Sequence, residues 1–297
     1  MRAPLAALAL ALALVSSSSA LAVEPPAFRL CTGSESGNYF RAGHILKSKA
    51  GALKLDVVPT QGSLDNLDKL TAGQCDGAFV QSDALLVYSS KNAAALSTIE
   101  RAGVLYQEQV HLLCNRGAGI SRITDLGKAN TVAVGPDGSG GRTTWDAFVL
   151  ADKKRFGPVN LDTRSGVRAL SAAADGSQVQ CALWVGALNA SFIKNDAQAQ
   201  GDRVVLVRSD DREMVGSAKD ARGQPVYGYG AIPAGTYPRI QPGGLVFGTK
   251  ALDTIAVDAL FVTGIPWVNA NERAYDSLLR AFTAAKPQIQ AIAQPQD

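Results

Sequence analysis

Short apolar runs alternate with helix-patterned stretches along this chain, and that alternation restricts it to a sheet covered by helices. Phe28 to Cys31 reads as a strand and leads into a Gly/Ser turn, Thr32 to Gly37. Tyr39, Phe40, Ile45 and Leu46 then recur at helical spacing. Leu55 to Val58 is a second strand, closed by Pro59 and Gly62. Ser63 stands where it can cap the next helix, in which Leu64, Leu67 and Leu70 share a face. Ala78 to Val80 is a third strand. The rhythm restarts with strands at Val110 to Cys114, Thr131 to Val134, Val179 to Val185 and Val204 to Val207, and with a helix from about Thr143 to Lys153. An apolar run, Thr254 to Val262, and an amphipathic helix from about Glu272 to Ala284 close the chain. Two β-α-β sets predict an α/β chain with a mostly parallel sheet, helices on both faces, and two lobes with a cleft between them.

The first residues read as a leader. Met1 and Arg2 precede an apolar run, Leu5 to Val15, and small residues ending in Ala20-Leu21-Ala22, so cleavage is expected after residue 22. The run is too short to span a bilayer, and no Cys stands at the cleavage point to carry a lipid. No later stretch reads as transmembrane, so the expectation is a soluble periplasmic chain of about 275 residues. Without Arg2 the rest carries 28 basic residues against 26 acidic, a balance that argues against nucleic acid or a charged membrane surface as partner. With 46% hydrophobic and 19% charged residues the composition is that of a folded protein, expected as a monomer. Cys31, Cys75, Cys114 and Cys181 each lie in or beside an apolar segment. Buried free thiols and one disulfide remain equally open on this reading, and the pairing is not determined.

Ligands of open α/β sheets bind beyond the carboxyl ends of strands, at the turns that lead into helices. Three such turns are rich in Gly and hydroxyls: Gly33 to Tyr39, Gln61 to Ser63, and Gly135 to Gly141. A fourth strand end, Gln81-Ser82-Asp83, adds polar groups at the same edge. Backbone N–H groups and the helix dipole favour an anion at such places, although helix capping alone accounts for any one of them. Catalytic readings of the last turn fail. A P-loop needs Lys after its final Gly, where this chain has Gly141-Arg142-Thr143, and a dinucleotide fingerprint from Gly138 meets Thr143. Ser139 in Asp137-Gly138-Ser139-Gly140-Gly141 resembles a nucleophile but needs a His base, and His44 and His111 both read as structural. Metal-ligand spacings are absent from the sequence too, so neither enzyme chemistry, a cofactor nor a metal is expected.

In order and spacing, these blocks resemble the TAXI family, the solute-binding components of a class of TRAP transporters. The blocks are Cys31 to Phe40, Thr60 to Leu67, Gly73 to Asp83, Ile123 to Leu126 with Val134 to Gly140, and Ile232-Pro233-Ala234-Gly235-Thr236-Tyr237-Pro238. The resemblance implies a two-lobed type II periplasmic-binding-protein fold that closes on a small carboxylate, such as an amino- or oxo-dicarboxylate, and presents it to membrane permease subunits. Residues 23–115 with 255–297 are expected to form one lobe and 116–254 the other. Matching positions place Ser34, Asn38, Tyr39, Ser63, Gln81, Ser82, Ser139 and Gly140 on the ligand; Arg142 as counter-ion and Trp184 as an apolar wall are added from their places in this sequence. The sequence departs from the family at Gly141, where Thr is common, at Asp137, where a second Pro is usual, and between Gln241 and Phe247. A sensory protein that hands its bound state to a sensor kinase is the alternative on the same fold.

Overall fold

The computed structural model describes residues 27–188, 190–244 and 248–294, so the expected leader and residues 245–247 of the altered late stretch lie outside the described residues. The first unit is β1 (Phe28–Cys31), α1 (Asn38–Lys49), β2 (Leu55–Val58), α2 (Ser63–Thr71) and β3 (Gly77–Gln81). Next come α3 (Ser82–Lys91) and the 17-residue β4 (Ile99–Asn115). The second unit is β5 (Thr131–Ala133), α4 (Gly140–Ala151), α5 (Lys153–Phe156), β6 (Asn160–Asp162), α6 (Gly166–Asp175) and β7 (Cys181–Gly186). β8 (Val204–Val207), α7 (Arg212–Ser217), β9 (Tyr227–Ile232), β10 (Leu252–Gly264), α8 (Ile265–Ala270) and α9 (Glu272–Ala291) complete the order.

The strands lie in the order β2-β1-β3-β10-β4-β7-β5-β6, with β8 also on β4 and β9 on β10. Among the named strands, parallel pairing is found in β2-β1-β3 and in β7-β5-β6. β10 runs antiparallel to β3 and β4, and β4 antiparallel to β7. The sheet is therefore mixed, where the sequence predicts a mostly parallel one. A strand buried on both faces shows the same unbroken apolar run whichever way it points, so its pattern carries no direction.

β4 and β10 tie the two triads together. The first part of β4 pairs with β10, while Gln109 to Cys114 pairs with β7. β3 runs in the direction of β4 and β7 against it, so the carboxyl ends of both triads point toward the crossing. That places every Gly/Ser turn at one gap between two lobes.

Each triad buries apolar side chains on both faces. Phe28, Phe79 and Phe261 pack with Leu278 and Phe282 of α9 on one side, and Leu67, Val80 and Leu260 lie on the other. In the second lobe Trp145, Phe148 and Phe156 cover one face, while Leu170, Leu206 and Tyr237 cover the other. A Cβ at Gly103 would lie 2.5 Å from the Phe282 ring, which is how closely α9 presses on β4. α9 runs past Ala284 and through Pro287 because Ala285 and Ile289 continue its buried face. Tertiary burial there outweighs the cost of a proline in a helix.

All four cysteines are paired, Cys31 with Cys75 and Cys114 with Cys181, where the sequence reads as either buried free thiols or one disulfide. Cys114 and Cys181 are register partners on β4 and β7. Among the described residues no helix is long and apolar enough to cross a membrane.

Candidate functional site

A cleft of about 590 Å³ opens where the two triads face one another. This is the size of a small-molecule site. The first lobe contributes the turn before α1, the turn before α2 and the end of β3; the second contributes Gly140, Gly166, Trp184 to Ala187 and Ala190 to Phe192. The first residues of α1, α2, α4 and α6 all border it. The opening amides of a helix have no acceptor within the helix, and α1, α2 and α6 have no side-chain cap either. The convergence of four helix N-termini makes the rim of the cleft favourable to an anion.

The turns themselves have local causes. Gly62, with φ of 127°, occupies backbone space that only glycine enters freely, and it lets the chain turn sharply into α2. Gly62 is the N-cap of α2, so Ser63 does not cap as the sequence predicts; its Oγ instead accepts from the backbone N–H of Gln81 at 2.9 Å. That bond fixes the start of α2 to the end of β3. The two lobes come close here. A Cβ at Gly140 would lie 3.0 Å from the Gln81 side-chain oxygen, and one at Gly62 3.5 Å from the Gly138 carbonyl.

Of the residues expected on the ligand, Ser34, Asn38, Tyr39, Ser63, Gln81, Gly140 and Trp184 line the cleft. Ser82, Ser139 and Arg142 are not among the lining residues, and each is engaged elsewhere. The Ser82 hydroxyl donates to the Val226 carbonyl at 2.6 Å and accepts from the Asp258 N–H. Ser139 caps α4 by accepting from the Arg142 N–H and donates to the Val134 carbonyl. Arg142 is held between Asp137 at 2.7 Å and Asp146 at 2.9 Å, so the charge expected to serve as counter-ion is spent locally.

Trp184 stands tilted against Phe192 with ring centroids 4.8 Å apart. Its Nε1, the hydroxyls of Tyr39 and Tyr106, and Thr60 Oγ1 are buried with no hydrogen-bond partner. Polar groups left unpaired at a cavity wall are costly unless a ligand or water completes them. Tyr106 and Glu108 were not anticipated from the sequence. The signal was present, because Tyr106-Gln107-Glu108-Gln109 sets four polar-bearing residues between the apolar pair Val104-Leu105 and the strand read from Val110. Burial pushes Glu108 up to about 8; the neighbouring Asp83 carboxylate adds to that shift, and the Gln81 side chain opposes it.

The histidines lie elsewhere. His111 is wholly buried, its ring nitrogens against the Gln109 carbonyl at 2.8 Å and the Tyr237 hydroxyl at 3.1 Å, and burial lowers its pKa to about 4. His44 packs on Phe40. Among the described residues no group of three or more His, Cys, Asp or Glu is placed to hold a metal ion.

The NMT1-like family model matches residues 30–265, which spans both triads and the whole cleft. The chain belongs to the NMT1-like family. Solved structures share the fold of this NMT1-like protein. YhfZ from Shigella flexneri is similar with a TM-score of 0.52 at 15% identity, over 90% of this chain and 91% of that one. The periplasmic aliphatic sulphonate binding protein SsuA from Escherichia coli gives a TM-score of 0.50 at 14% identity, over 91% and 78%. A substrate binding protein of an amino acid ABC transporter gives 0.50 at 10% identity, over 89% and 97%. The architecture is thus the two-lobed α/β fold of periplasmic binding proteins.

Proposed function

We propose that this NMT1-like protein is an extracytoplasmic solute-binding protein that captures a small organic ligand by closing its lobes, performs no chemistry on it, and delivers it to a membrane transporter. The observation that carries the reading is the cleft itself, lined from both lobes and walled by buried polar groups that lack partners. An enclosed ligand supplies hydrogen bonds to such groups, and closure is driven by contacts made better in the closed state. Tyr39 and Trp184 face the cleft from opposite lobes and are the contacts that closure would complete. On this reading Ser34, Asn38, Ser63, Gln81 and Gly140 bind the ligand too, and the carboxylate of a small acid sits at the helix N-termini. The transporter proposed is of the TRAP type, on the resemblance of the sequence blocks to the TAXI family. Residues 23–115 with 255–297 are assigned to one lobe and 116–254 to the other, with the hinge in the crossing strands β4 and β10.

Thermal unfolding of the protein against a library of small carboxylates tests this. Capture predicts that at least one member raises the melting midpoint by several degrees at millimolar concentration. No shift from any member, together with no ligand retained in native mass spectrometry of protein purified from its own host, sinks the proposal.

A further inference from the structure

Capture of a bare carboxylate leaves one charge in the cleft without a role. Glu108 sits on β4 opposite Val257 of β10, in the crossing that joins the lobes. It lines the cleft, it is only 8% exposed, and it is the one acid among the lining residues. Those lining residues include no Lys, Arg or His, so nothing there offers it a counter-charge. The nearest candidate from the second lobe, Arg142, is already committed to Asp137 and Asp146. The charged and titratable groups felt at this spot are Asp83 from α3, Tyr39 from α1 and Tyr106 from β4 itself, with Arg41 acting on Tyr106. A carboxylate enclosed among neutral phenols and a second acid is expensive to ionise unless the ligand brings the missing charge.

We propose that Glu108 is the specificity residue of the cleft and that it selects a ligand carrying a protonated amine. The ligand's anionic end then lies at the helix N-termini and its cationic end at Glu108, so the site is complementary to a zwitterion. Acids of the same size without an amine bring no counter-charge to Glu108 and bind more weakly. The inference rests on the capture reading above and narrows its ligand class.

A consequence follows for protons. Free Glu108, raised to about 8 by burial, holds its proton at pH 7. Pairing with an ammonium group expels it, so binding below pH 8 releases a proton and weakens about tenfold for each unit the pH falls. An anion-only ligand gives the opposite result, with Glu108 keeping its proton and donating it in a hydrogen bond.

Titration calorimetry of the full protein with matched pairs tests the proposal: L-amino acids against their 2-oxo and desamino acids, and taurine against ethanesulfonate. The expected result is that amine-bearing members bind about 30-fold or more tightly than their partners, which is what a desolvated charge pair contributes. E108Q, checked for its fold by circular dichroism, loses that preference, so that amine-bearing members bind within about threefold of their partners. Proton release in the wild-type protein, read from the dependence of binding heat on buffer ionisation enthalpy, needs no variant at all. If desamino acids or ethanesulfonate bind as well as the amines, or if no proton leaves on amine binding, the proposal is overturned while capture stands. If no member of any pair binds, capture falls and the inference falls with it.

Discussion

Gly141 opens the first turn of α4, and a Cβ there would lie 2.8 Å from the Val134 carbonyl and 3.2 Å from the Leu183 carbonyl. Both neighbours are backbone and cannot swing aside. What reads in the sequence as a hydroxyl missing from the turn is therefore a packing requirement, because α4 rests directly on the ends of β5 and β7. Restoring the family's residue by G141T should cost about 1–3 kcal/mol, measured as a lower urea midpoint, since over-packing against backbone forces the helix off its seat. An unchanged midpoint would show that α4 has room to shift. Asp137 has a related explanation: it pairs with Arg142 on the rim and takes both charges out of the binding problem.

At the scale of elements, one disulfide lies within the first triad and the other joins the crossing strand β4 to the second triad. Cys31–Cys75 ties β1 to the segment entering β3, and Cys114–Cys181 ties β4 to β7. The second closes a separation of 67 residues, and a loop of that size restricts the unfolded chain strongly. Replacing both Cys114 and Cys181 by Ala should lower stability by about 2–4 kcal/mol in denaturant titrations while leaving ligand affinity unchanged. Lost affinity with an intact fold would instead place this staple in the geometry of the cleft. None of this pairing was legible in the sequence, because the four cysteines lie in similar apolar contexts and become neighbours only through strand order.

At the scale of the whole molecule, the two lobes meet through contacts between α3 of one and α4 with β9 of the other. Asp83 is fully buried and accepts from Thr144 Oγ1 at 2.6 Å and from the Tyr227 hydroxyl at 3.2 Å. Burial raises its pKa to about 6, and those two hydroxyls pull against the rise. A raised carboxyl contributes stability that is full below its unfolded value near 3.8 and is lost as pH climbs through about 6. At pH 8 the ionised carboxylate depends on its donors. T144V should therefore destabilise by about 1.5–3 kcal/mol at pH 8 and by less at pH 4, where Asp83 is neutral. Equal losses at both values would mean that Thr144 acts through packing alone. Small-angle scattering of the same variant should show a larger radius of gyration if this contact keeps the lobes together.

Local sequence was sufficient for the β-α rhythm, most strands to within a few residues, and the Gly/Ser turns that border the cleft. These follow from periodicity and turn chemistry, which act over a few residues. The direction of β4 and β10, the pairing of the cysteines, and the withdrawal of Ser82, Ser139 and Arg142 from the cleft were decided only in three dimensions. Each depends on partners far apart in the chain: Ser82 bonds across to Val226 and Asp258, which nothing near residue 82 foretells. Glu108 belongs to the same class. Its sequence neighbours mark it as a polar break in a strand, but only the crossing of β4 and β10 buries it in the cleft and makes its charge matter.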